Sequence, residues 1–143
     1  MPIPNPEPGL VISYSYLWHG EREIGQEEGR KDRPSVIVLA VVQETDETTV
    51  VTVLPITHSA PSDSRTAVEL PMQVKRHLGL DDLRSWIVVT EGNEFIWPGY
   101  DLRRLPNIDR YDYGFLPPRL FNLVVKAFLS FHRLGRRRIA SRE

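Results

Sequence analysis

The chain contains no cysteine, which excludes a disulfide scaffold and thiol catalysis together. It has almost no net charge either: eighteen lysines and arginines stand against nineteen aspartates and glutamates, a formal balance of −1. A domain whose whole field draws nucleic acid is strongly basic, so the bulk charge makes no case for such a partner. No run is long and apolar enough to span a bilayer, and the opening MPIPNPEPG lacks the basic-then-apolar order of a secretory leader. A cytoplasmic protein with no membrane partner is therefore expected. His19, His58, His77 and His132 are dispersed and form no paired ligand spacing, so no metal is expected. With no GxGxxG, P-loop or GxSxG pattern, no cofactor is expected.

What remains is an ordinary globular balance, 41% apolar and 26% charged over 143 residues, which suits one domain with one real core. Four prolines in the first eight residues predict an extended lead-in, and five arginines among residues 133–142 predict a frayed basic tail over 135–143. Between them, LVISYSYLW (10–18) reads as a first strand. Ser35 to Val42 reads as a strand buried on both faces, being continuously apolar and rich in valine. QETDET predicts a hairpin turn, and Thr49 to Thr57 the returning strand, with Pro55 near its end because proline cannot donate to a ladder. TAVELP predicts a short strand and MQVKRHLG one helical stretch capped by Gly79. Ser85 to Trp97 predicts a long strand interrupted at Gly92–Asn93. A long amphipathic helix starts near Pro117–Pro118, with Leu120, Phe121, Val124, Val125, Phe128 and Leu129 at helical spacing and Gly135 at its end. Short strands closed by one helix describe a mainly β fold with helices (α+β), a small β-barrel with an appended C-terminal helix.

Two stretches carry possible chemistry. Gly25 to Pro34 packs Glu27, Glu28, Arg30, Lys31, Asp32 and Arg33 directly before the buried strand. An arginine at the mouth of a strand is rigidly held and suited to forked contacts with a phosphate, although a solvated ion pair is the more common use of such a run. LPITHS places Thr57, His58 and Ser59 where a strand leaves the core. The hydroxyls suit a phosphate oxygen and the imidazole suits proton transfer, while turn capping is the plain alternative.

The Gly-bounded polar loop leading into Arg33-Pro34 and a buried strand, the strand ending in Pro55-Ile56-Thr57, the late Ile87-Val88-Val89 strand and the closing helix from Leu116 together resemble the MazF/PemK/Kid family of toxins. The opening PEPGLVISYSY resembles that family's first strand. The resemblance implies an SH3-like barrel with a C-terminal helix, a homodimer, a cognate antitoxin as partner, and metal-independent cleavage of single-stranded RNA by its own 2′-hydroxyl. It places Arg33 at the phosphate and Thr57 on a non-bridging oxygen, with Glu28 or Glu27 as an acidic loop residue able to act as the catalytic base. His58 is added on physical grounds as a proton donor or acceptor. Arg30, Lys31, Ser59 and Glu27 are candidate RNA contacts, and Trp18, with Tyr16 and Trp97, a candidate stacking surface. The alternatives are a toxin of the same fold that binds a target such as gyrase, and a silent SH3-like protein-binding module. The ending IASRE lacks the Trp-Gly-Ile on which the gyrase poisons depend.

Overall fold

The computed structural model describes residues 3–19, 32–106, 108–133 and 138–142, with residues 132, 133 and 138 described in backbone only. Eight strands form one curled sheet: β1 (Leu10–Ser15), β2 (Asp32–Val42), β3 (Thr49–Thr57), β4 (Ala67–Glu69), β5 (Trp86–Val88), β6 (Glu91–Ile96), β7 (Asp112–Phe115) and β8 (Arg138–Ser141). The main path runs β4-β5-β3-β2-β1-β7; β6 pairs with β3 and, in parallel, with β8. Two helices, α1 (Met72–Leu78) and α2 (Pro118–Arg133), pack on it. The architecture is mainly antiparallel β with helices.

The sheet curls because β1 and β3 supply alternate residues to two cores. Val11, Val36, Val38, Leu54, Ile56 and Ile87 meet the buried stripe of α2, Leu120, Val124, Phe128 and Phe131. The other face sends Leu10, Ile12, Tyr14, Ile37, Val53 and Phe95 into a second cluster, in which Tyr14 and Phe95 stack at 4.8 Å. A strand buried on both faces can afford no outward polar alternation, hence the apolar run LVI in β1 and VTVLPI in β3. Glycine is required at residue 92, where a Cβ would lie 2.8 Å from the Val53 carbonyl oxygen as β6 crosses β3.

Several expectations need adjusting. The run from Ser35 is buried only through Val38; Leu39, Val41 and Val42 are exposed, because β1 pairs with β2 only as far as Val36. The interruption in the late strand falls at Val89–Thr90, not at Gly92–Asn93, which sit inside β6. The physical reason is that β5 pairs with the end of β3 and β6 with its beginning. Residues 138–142 do not fray: β8 lies along β6, and the Arg142 side chain is 3% exposed. Gly79 caps α1 in the left-handed conformation, φ +73°. Gly135 lies outside the described residues. Among those residues, no helix is long and apolar enough to cross a membrane.

Candidate functional site

Glu27, Glu28, Arg30 and Lys31 lie outside the described residues. The remaining candidates cluster where β2 begins and β3 ends. Ser35 pairs with Pro55 and Ile37 with Val53, so the period of two puts Arg33 and Thr57 on that same face of the sheet. Trp18 lies there as well. The Arg33 guanidinium sits 4.9 Å from the Trp18 ring centroid, a cation–π contact that orients its planar fork. Trp18, Thr57 and Ser59, with Pro61, Ser62 and Thr66, line a cavity of about 420 Å³. The Thr57 hydroxyl oxygen accepts the Ser59 N–H at 3.2 Å, which leaves its own proton to donate elsewhere.

Trp18 is held in place by β6. Asn93 imitates a strand neighbour, accepting the Leu17 N–H and donating to the Leu17 carbonyl, both at 2.9 Å. Glu91 accepts the His19 N–H at 2.9 Å and the Tyr16 hydroxyl at 3.1 Å. Burial first, then the Glu91 charge, pushes the Tyr16 phenol well above its ordinary range, so it stays a neutral donor. Tyr16 is 1% exposed and offers no stacking face to a ligand. The indole of Trp97 donates to the Pro4 carbonyl at 3.1 Å beside the second core cluster, away from Arg33.

His58 faces a different opening. It lines, with Ile56 two residues earlier, a cleft of about 200 Å³ whose other walls include Asp32, Arg33, Asp81 and Ser85. Arg33 thus lines this cleft, and its guanidinium reaches the Trp18 ring that lines the other opening. The His58 Nε2 lies 2.8 Å from Asp81 Oδ2, and Asp81 Oδ1 takes Lys75 Nζ at 2.5 Å and the Leu83 N–H at 3.1 Å. Lys75 is 1% exposed and also donates to the Ser85 hydroxyl at 2.6 Å and to the Leu83 carbonyl. Its three N–H groups are therefore all satisfied.

Burial raises the Asp81 carboxyl, but hydrogen bonds from Lys75, the Leu83 N–H and His58, followed by the Lys75 charge, outweigh it and hold the group below the usual range. Sequence reading missed this network. The available signal was Lys75 three residues before Leu78 on a short helix, a cation on the face that carries the apolar anchor.

Removing either partner of the ion pair has unequal consequences. Asp81→Ala strands a buried ammonium and is expected to cost about 3 kcal/mol, the low end for breaking a buried pair because Asp81 itself is half exposed. Lys75→Met fills the same space and leaves a carboxylate that water can reach, so about 1 kcal/mol is expected. Urea unfolding of the two variants checks the order; equal losses would mean the lysine is not desolvated. A depressed carboxyl contributes stability above its unfolded pKa and loses it as pH falls through the folded one. The wild-type urea midpoint should consequently drop on acidification below the ordinary aspartate range, with a smaller drop in Asp81→Asn.

No family model, no curated protein and no solved structure matches this chain.

Proposed function

We propose that this protein is a metal-independent endoribonuclease of the toxin–antitoxin type, a MazF/PemK-like barrel that cuts single-stranded RNA as a homodimer and is restrained by a cognate antitoxin. The observation that carries the reading is Arg33, which lines the cleft of the His58–Asp81 pair and lies over the ring of Trp18, itself a wall of the Thr57–Ser59 cavity. An RNA strand crossing the Arg33 ridge would set its phosphate on the guanidinium, with a base toward Trp18 and the ribose toward His58.

The chemistry needs only groups at this ridge and the RNA itself. His58 takes the 2′-hydroxyl proton as the 2′-oxygen attacks phosphorus. Arg33 and the Thr57 hydroxyl hold the non-bridging oxygens, where charge accumulates. The bond to the 5′-oxygen then breaks, and the imidazolium returns its proton to that leaving oxygen. The products are a 2′,3′-cyclic phosphate and a 5′-hydroxyl, with no net proton consumed. Glu27, Glu28, Arg30 and Lys31 keep the acidic and RNA-contact roles that the resemblance implies.

The test is purified protein with a long single-stranded RNA in excess EDTA. Fragments with 2′,3′-cyclic phosphate and 5′-hydroxyl ends support the reading. Intact RNA with folded protein overturns it.

A further inference from the structure

Asp81 and Lys75 lie beyond the residues to which any phosphate role has been given, yet they determine what His58 can do. An ionised carboxylate has no proton to offer and can only accept. Asp81 is ionised because Lys75 and the Leu83 N–H crowd one of its oxygens while His58 faces the other. The ring nitrogen 2.8 Å from that second oxygen must then carry the N–H. Lys75 cannot swing away, being buried and committed to three acceptors from residues 81, 83 and 85, so it pins the segment that carries Asp81 to α1. The charged groups sharing the cleft with the imidazole are Lys75 and Asp81, together with Asp32 and Arg33 of β2. Tyr113 of β7 stands within electrostatic reach of both aspartates.

We infer that Asp81, anchored by the buried Lys75, is the positioning residue that fixes His58 as the Nε2–H tautomer and leaves the Nδ1 lone pair as the base for the 2′-hydroxyl proton. The base role rests on the ribonuclease reading; the tautomer does not. Asp81 touches no substrate and acts through His58 alone. A histidine held in this way needs no reorientation during proton transfer, and loss of such a partner lets the ring rotate and the wrong nitrogen carry the proton.

The tautomer is read by long-range 1H–15N NMR on protein labelled at histidine, at a pH where the imidazole is neutral, with His58→Gln assigning the signal. Wild-type protein should show Nε2 protonated and Nδ1 bare. Asp81→Asn must give its one oxygen to Lys75 and the Leu83 N–H and turn its NH2 to Nε2, so it should switch the ring to the Nδ1–H tautomer, whereas Asp81→Ala should give a mixture. In the EDTA cleavage assay, Asp81→Ala should lower kcat about 100-fold with KM unchanged, within the range of general acid–base catalysis, and Asp81→Asn should recover none of the loss because its tautomer leaves no lone pair on Nδ1.

An Nδ1–H tautomer in the wild type overturns the inference, and so does an Asp81→Asn variant that keeps the Nε2–H tautomer. Should Asp81→Ala prove too unstable to study, the wild-type and Asp81→Asn spectra decide the matter. The expected tautomer in a protein that leaves RNA intact overturns the ribonuclease reading and the base role with it. Normal cleavage by His58→Gln overturns the base role alone.

Discussion

Arg142→Ala is expected to destabilise the protein by about 3–5 kcal/mol, the cost of removing one member of a buried, hydrogen-bonded charge pair. One of its terminal nitrogens donates to the Ser15 carbonyl at 3.0 Å and to Asn93 Oδ1 at 3.2 Å, while the other meets Asp101 at 2.9 Å. The guanidinium also lies 5.8 Å from the Tyr14 ring centroid. Alanine takes this partner from Asp101, whose side chain is 12% exposed in the intact protein and which Arg103 approaches less closely, at 3.9 Å. Arg142→Lys keeps the charge but not the planar fork, so it should recover less than half of the loss. Urea unfolding at neutral pH measures both variants. A loss below about 1 kcal/mol for the alanine variant would show a pair no stronger than a surface one, and the clasp would then be loose in solution.

The second large effect falls on activity. Arg33→Ala should reduce kcat/KM for RNA cleavage by about 10²–10³-fold, as removal of one preorganised donor to a developing oxyanion does. Arg33→Lys should regain no more than about tenfold, because an ammonium is a point charge and does not reproduce a forked contact. Of any change in stability, loss of the stack on Trp18 should account for about 0.5–1 kcal/mol. An alanine variant that cleaves at the wild-type rate would remove Arg33 from the site and with it the ridge on which the proposed function stands.

Much of this molecule could be read before its structure. The hairpin at QETDET, the left-handed cap at Gly79 and the stripe Leu120-Val124-Phe128 depend on neighbours in sequence, and local rules suffice for them. The short strands β7 and β8 were not anticipated. In β7 the residues Asp112 to Gly114 are all half-buried and Phe115 is exposed, so no apolar alternation marks them. In β8 the strand exists only because β6 offers an edge, which no local pattern records. The site divides in the same way. Arg33 and Thr57 stood out because each closes or opens a recognisable strand. Lys75 and Asp81 did not, because a buried cation and its acceptors declare themselves only when residues 75, 81 and 85 come together in space.

The clasp at Arg142 also bears on how fast the native state is reached. It joins residue 142 to residues 15, 93 and 101, and β1 needs β7, about a hundred residues further on, to complete its pairing. Such distant partners close large loops before any contact rewards them, which places folding with the slower, millisecond-to-second class of β-rich domains. Until residue 142 docks, Asp101 and the polar end of β6 lack the Arg142 guanidinium, so a segment made well over a hundred residues after the first strand completes that strand's environment. A ribosome-bound chain lacking that segment would expose the β6 edge to other strands, a hazard that ends only when the final contacts form.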